Sequence, residues 1–159
     1  MTLQKAKQLP LAVEIADKRS VRTQFAALCY RVIKGKTEVL LITSRRTERW
    51  IIPKGWPMEA KTPAESALTE AWEEAGVKGK VTGGCLTLYT YLKSVDEEEP
   101  MPCAVMVYPV KVKSLADTYP EHGQRKRKWV TPKQASKRVD EPELAHLLRS
   151  FDATQLSKE

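Results

Sequence analysis

The chain reads as an α/β protein, an α/β/α sandwich around a mixed sheet. Two observations predict this. Apolar strand-like runs come first and return after one long amphipathic helix, and two short helices close the chain. That order suits helices packed on both faces of a sheet. No internal repeat or second apolar core interrupts the pattern, and 159 residues are enough for one domain with a proper core. The expected organisation is an N-terminal arm or edge segment over 1–20, one domain over 21–151 and a C-terminal tail over 152–159.

Each element has a local reason. Residues 1–20 carry little pattern, and Glu14 interrupts their short apolar run, so no secretion signal is expected. QFAALCYRVI (24–33) reads as a buried strand, Gly35 as a turn and 37–43 as the second strand of a hairpin. A basic connection holding Arg45, Arg46 and Arg49 leads to a short strand, Trp50-Ile51-Ile52, and a Pro53-Lys54-Gly55 turn. Thr62 fits an N-cap, Pro63 the first helical position and Gly76 the residue just past a helix end. Gly79 and Gly83-Gly84 read as breaks, and 85–92 and 104–112 as strands. The acidic tip between them, with Glu97-Glu98-Glu99, reads as a solvated loop. Residues 115–123 look irregular, and Arg125-Lys126-Arg127-Lys128 approaches a short strand at Trp129-Val130. Thr131-Pro132 opens a helix to Val139. Asp140 and Pro142 start a last one, with Leu144, Leu147, Leu148 and Phe151 on its apolar face. Residues 152–159 are expected to fray.

Composition narrows the class. Hydrophobic content of 42% is ordinary for a globular domain. No run of 18 apolar residues exists, so no membrane span is expected. Cys29, Cys85 and Cys103 all sit in apolar strand-like runs. An odd count without paired spacing points to reduced core thiols and a cytoplasmic protein. With no CxxC, and with His122 and His146 as the histidines, a zinc site is not expected. A net charge of +7 favours a polyanionic partner, with solubility as its bland alternative. No basic platform interleaved with aromatics is present, so nucleic acid is not an expected partner, capped RNA excepted. Oligomeric state leaves no signal in the sequence.

The stretch from Lys54 to Val77 carries the chemistry. Glu70, Glu73 and Glu74 are neighbours on a helix surface. Such a patch repels itself, and a hard divalent cation would turn the repulsion into binding. The plain alternative is a solvated acidic face. At ~100° per residue, Ala64, Leu68, Ala71, Trp72 and Ala75 fall on one face and the three glutamates roughly opposite.

The surrounding residues shift the balance between the two. Gly55 followed by Glu70-Ala71-Trp72-Glu73-Glu74-Ala75-Gly76-Val77 resembles the Nudix box. That motif runs Gly, five residues, Glu, seven residues, Arg-Glu, an aliphatic, any residue, Glu-Glu, any residue, Gly, an aliphatic. Two positions depart: Lys61 stands for the first Glu and Thr69 for the Arg. Residues 26–29, 38–41, 49–53, 73–79 and 125–129 are similar to the diphosphoinositol polyphosphate phosphohydrolase branch. The resemblance implies the Nudix fold and the cleavage of diphosphates on inositol polyphosphates or of diadenosine polyphosphates.

It also implies roles. Glu70, Glu73 and Glu74 would hold Mg²⁺, or Mn²⁺, with a backbone carbonyl near Gly55 completing the set. The ion would acidify water and neutralise phosphate charge. One of these glutamates, or a later-loop carboxylate such as Glu121, would take the proton. Arg125, Lys126 and Arg127 correspond to the branch's basic run and are candidate substrate ligands, but neighbouring strand residues face opposite ways. Arg49, Lys54 and Lys61 join them, with Arg45 and Arg46 behind. Trp56 could stack on a ring or pack over the loop, and packing is the favoured reading. In the family the box Arg orients a glutamate, which Thr69 cannot do. Lys61 is expected to pair with a glutamate or meet a phosphate. At 22–25 the branch's basic grip is thinned to Arg22-Thr23-Gln24-Phe25. The expected function is metal-dependent hydrolysis of a phosphoanhydride in a small polyphosphorylated substrate. The alternative is an impaired Nudix-like domain that senses nucleotide or inositol phosphates.

Overall fold

The structure, a computed structural model, describes residues 21–93 and 100–156. The N-terminal arm and the Glu97-Glu98-Glu99 tip lie outside these residues. Strand β1 (Arg22–Ile33) is the centre of the sheet. Its side chains alternate between two cores, as the period of a strand requires. Phe25, Ala27 and Cys29 enter one cluster, and Ala26, Leu28 and Tyr30 enter the other. A continuous apolar run is therefore a strand covered on both faces.

Around β1 the sheet is mixed. β2 (Lys36–Thr43) turns back on it as the expected hairpin, with Tyr30 opposite Val39. β3 (Trp50–Ile51) extends the β2 edge, and β4 (Lys54–Gly55) pairs with the start of β1. Helix α1 (Pro63–Ala75) follows. Gly79 does not break the chain as expected: β5 (Val77–Val81) stays in the sheet across it, with a register shift between Lys78 and Gly79. A bulge absorbs a glycine that would otherwise end a strand. β6 (Thr87–Lys93) and β7 (Met101–Leu115) form an antiparallel pair, and β7 runs parallel to β1 from Arg22–Cys103 to Tyr30–Lys111. β8 (Arg127–Val130) pairs with β2. Helices α2 (Pro132–Arg138) and α3 (Pro142–Ser150) close the far face.

The layers are thus α1 on one face and α2 with α3 on the other. Ala67, Ala71 and Ala75 press α1 onto Phe25, Ala27, Leu40 and Ile42. Leu144, Leu148 and Ala135 cover Leu28, Leu41 and Val107. Residues expected to fray instead continue as a short 3₁₀ turn, Ala153–Gln155, capped by Asp152. Ala153 and Leu156 pack on the second core. Cys29 and Cys103 are buried as expected, but Cys85 is exposed, because it lies in the turn ahead of β6 rather than in a strand. Among the described residues no helix is long and apolar enough to cross a membrane.

Candidate active site

Helix α1 starts as its sequence dictates. The Thr62 hydroxyl accepts from the Glu65 N–H and the Glu65 carboxylate accepts from the Thr62 N–H, with Pro63 in the first turn. This capping box satisfies two otherwise orphan donors. Gly76 ends the helix in the left-handed region at φ 68°, where a side chain would be strained and would also strike the Tyr119 ring.

The face that α1 buries differs from the projected one. Ser66, Ala67, Glu70, Ala71, Glu74 and Ala75 are the buried residues, while Leu68 and Trp72 stay half-exposed. Small alanines let the helix lie close to the sheet, so the carboxylates at 70 and 74 share the inner face with 67 and 71. Glu73 looks more to the side. The alanine face is too weakly apolar to reveal this rotation from sequence.

Glu70 descends onto β4. A Cβ built on Gly55 would collide with its carboxylate carbon and both oxygens. Gly55 is therefore the residue that lets backbone and carboxylate meet. Beside it, Glu74 Oε1 accepts from the Lys54 N–H at 3.2 Å and Oε2 faces Arg125 Nη2 at 3.4 Å. The loop after β7 brings a fourth carboxylate. The Glu121 N–H donates to the Glu73 carbonyl at 3.0 Å, and the Ala116 N–H to the Gly76 carbonyl at 2.8 Å. Arg125 Nε then reaches Glu121 Oε1 at 3.2 Å.

Electrostatics follow from this crowding. Burial, aided by the charges of Glu74, Glu73 and Glu121, pushes the Glu70 carboxyl up to about 8. Glu74 is also raised by burial, against the pull of Arg125 and the Lys54 N–H. Of the neighbouring charges, that of Glu74 weighs most on Glu70. Among the described residues no three such side chains converge into a finished metal cage. The set nonetheless fits a hard cation, because a divalent ion among these oxygens would relieve the repulsion that burial and crowding create.

These groups open on a cleft of about 990 Å³. Arg45, Arg46, Arg49, Lys54 and Lys93 line it together with Trp56 and Tyr91. Burial depresses the Lys54 ammonium to about 8, with Glu74 opposing. Its head lies 5.2 Å from the Tyr91 ring centre. Trp56, expected to pack, is 37% exposed on the cleft wall with Lys93 Nζ 5.8 Å from its ring. The other expected substrate ligands are placed as follows. Arg49 lines the cleft but spans Asp140 at 3.1 Å and Glu141 at 3.7 Å. Arg125 is held by carboxylates. Lys126 is exposed and outside the cleft. Arg127 Nη1 donates to the carbonyls of Ala75 and Ala116, both at 2.9 Å, under the Tyr119 ring. Lys61 Nζ donates to Thr69 Oγ1 at 2.7 Å and reaches no glutamate carboxylate among the described contacts. Sequence reasoning missed Lys93, Tyr91 and Glu141 as cleft residues. The two-residue step from Tyr91 to Lys93 on one strand face was the signal available.

Comparison with known proteins identifies the family. The NUDIX domain profile matches residues 22–151. Nudix hydrolase 16, mitochondrial, of Arabidopsis thaliana is 36% identical over 62% of this chain and 56% of its own. Diphosphoinositol polyphosphate phosphohydrolase 3-beta of Homo sapiens is 29% identical over 76% of this chain and 71% of its own. The chain spans about half the length of the Arabidopsis relatives it matches. Among solved structures, a binary complex of C. elegans Ap4A hydrolase superposes with a TM-score of 0.65 at 26% identity, covering 84% of this chain and 97% of that one. With the profile spanning the whole sandwich and its cleft, the chain belongs to the Nudix family.

Proposed function

We propose that this protein hydrolyses a phosphoanhydride bond in a small polyphosphorylated substrate, with Mg²⁺ or Mn²⁺ bound by Glu70, Glu73 and Glu74. The observation that carries the reading is the Glu70 carboxyl, pressed against Gly55 and crowded by Glu74, Glu73 and Glu121. Four carboxylates gathered at one end of a cleft that also holds Arg45, Arg46, Lys54 and Lys93 have little structural use, because burying like charges is costly. When bound, the ion supplies Lewis acidity and lowers the pKa of water. The protein's own residues do the rest. Gly55 and the Lys54 N–H fix the glutamates, and Glu121 or a box glutamate accepts the water's proton. Arg45, Arg46, Lys54 and Lys93 steady the phosphate chain.

The substrate is a diphosphoinositol polyphosphate or a dinucleoside polyphosphate, the two classes named for the human and C. elegans relatives. The free thiols Cys29, Cys85 and Cys103 support a cytoplasmic location within this proposal.

The test is a Mg²⁺-dependent hydrolysis panel with product identification. It contains a diphosphoinositol phosphate, diadenosine penta- and hexaphosphate, nucleoside triphosphates, ADP-ribose and capped RNA. Glu74→Gln runs alongside and should lose most turnover. Equal turnover in the variant, or none in the wild type across the panel, would refute the reading.

A further inference from the structure

The two positions where this chain departs from its motif sit together and away from the carboxylates. Lys61 Nζ donates to Thr69 Oγ1, and Thr69 Oγ1 in turn donates to the Glu65 carbonyl at 2.9 Å. Neither side chain reaches Glu70, Glu73 or Glu74 in these bonds, so the helix itself supplies no cation to its own glutamates. One guanidinium does reach them, from 51 residues further along the chain.

Arg125 is a side chain of only 7% exposure with three anionic or carbonyl partners. Nη2 faces Glu74 Oε2 at 3.4 Å, Nε donates to Glu121 Oε1 at 3.2 Å, and Nη1 donates to the Thr43 carbonyl at 3.2 Å. A guanidinium is planar, always charged and able to donate in several fixed directions. Here one edge ties α1 to the loop after β7, and the remaining arm anchors both to the end of β2. Backbone bonds hold the same loop from the other side, through Glu121 to Glu73 and Lys126 to Thr43. Three of its five N–H donors are thus spent inside the protein, one on each nitrogen, so the fork is oriented by carboxylates and backbone before any substrate arrives.

We propose that Arg125 is the positioning residue of this site: it sets Glu121 against Glu74 at a fixed separation and thereby brings the loop carboxylate into the metal-binding group. This rests on the function proposed above, and it moves Arg125 from substrate ligand to organiser of the carboxylates. Arg45 is a weaker second hand on the same loop, 3.8 Å from Glu121 and bonded to Gln124. It is exposed and cannot replace the buried fork.

Mn²⁺ affinity measured without substrate, together with steady-state kinetics, tests the proposal on the full chain. Arg125→Gln should weaken Mn²⁺ binding and lower kcat by about 10–100-fold, as loss of a partner that orients a metal ligand does, with KM changed less than about threefold. Arg125→Lys keeps the charge without the fork and should recover only part of the loss. Should the Gln variant fold poorly, Arg125→Lys alone carries the test, and so does guanidinium added to Arg125→Ala, which should raise kcat without lowering KM. A raised KM at unchanged Mn²⁺ affinity would make Arg125 a substrate ligand and overturn the proposal alone. A lowered melting temperature with kcat and Mn²⁺ affinity both intact would reduce it to a structural residue and overturn it equally. A wild type that bound no Mn²⁺ would overturn the reading of the site itself, and this proposal with it.

Discussion

The proton on Glu70 gives the most direct handle on the site. Without a metal, burial and three neighbouring carboxylates hold that proton to about pH 8. A divalent ion coordinated by Glu70 must displace it, so binding and ionisation are linked. At pH 7 roughly one molecule in ten carries Glu70 ionised, so apparent affinity is about tenfold below its alkaline plateau, and about 100-fold below at pH 6. The same arithmetic predicts release of ~0.9 proton per ion bound at pH 7 and almost none at pH 9. Glu74, also raised by burial, pushes in the same direction. Calorimetric titration with Mn²⁺ across pH 6–9, in two buffers of different ionisation enthalpy, reads both quantities. Glu70→Gln should bind more weakly and release far less proton at pH 7. Affinity that stays flat from pH 6.5 to 8.5, with no proton release in the wild type, would refute the assignment of Glu70 as a ligand.

Three further outcomes follow from the same geometry. A carboxyl whose pKa is raised on folding stabilises the folded state below its ordinary value and loses that contribution as pH climbs to the folded value. Without divalent ions, thermal stability should therefore fall between pH 4.5 and about 8. The fall should be shallower in Glu70→Gln, and a parallel profile in that variant would contradict the crowding. Gly55→Ala places a methyl group where the Glu70 carboxylate lies. Denaturant unfolding should show a loss of about 1–3 kcal/mol from overpacking and assays a loss of most turnover; a variant with full turnover would show that the contact is dispensable. Arg127→Met removes two charged hydrogen bonds to the carbonyls of Ala75 and Ala116. It should cost about 1.5–3 kcal/mol with KM unchanged, and a raised KM at full stability would return Arg127 to the substrate.

Much of this protein is legible because it is local. The capping box at Thr62 and Glu65, the first-turn Pro63 and the left-handed Gly76 lie within one helix and depend on neighbours a few residues away. The strand run is apolar on both faces over 25–30, where two helical layers cover it, and the glutamate spacing alone puts three carboxylates on adjacent turns. What the sequence by itself determined is therefore the sandwich, the helix and the acidic patch. Tertiary structure decided the rest. The rotation of α1 that buries Glu70 and Glu74 depends on Ala67 and Ala71 fitting the sheet, a steric fit with no strong apolar period. The parallel pairing of β1 with β7 joins residues some 80 positions apart, and this pairing sets where the following loop delivers Glu121. Arg125 and Arg127 look alike in a basic run, yet one meets carboxylates and the other caps a helix. Their fates depend on which buried acceptors stand within reach, and only the folded chain supplies those acceptors.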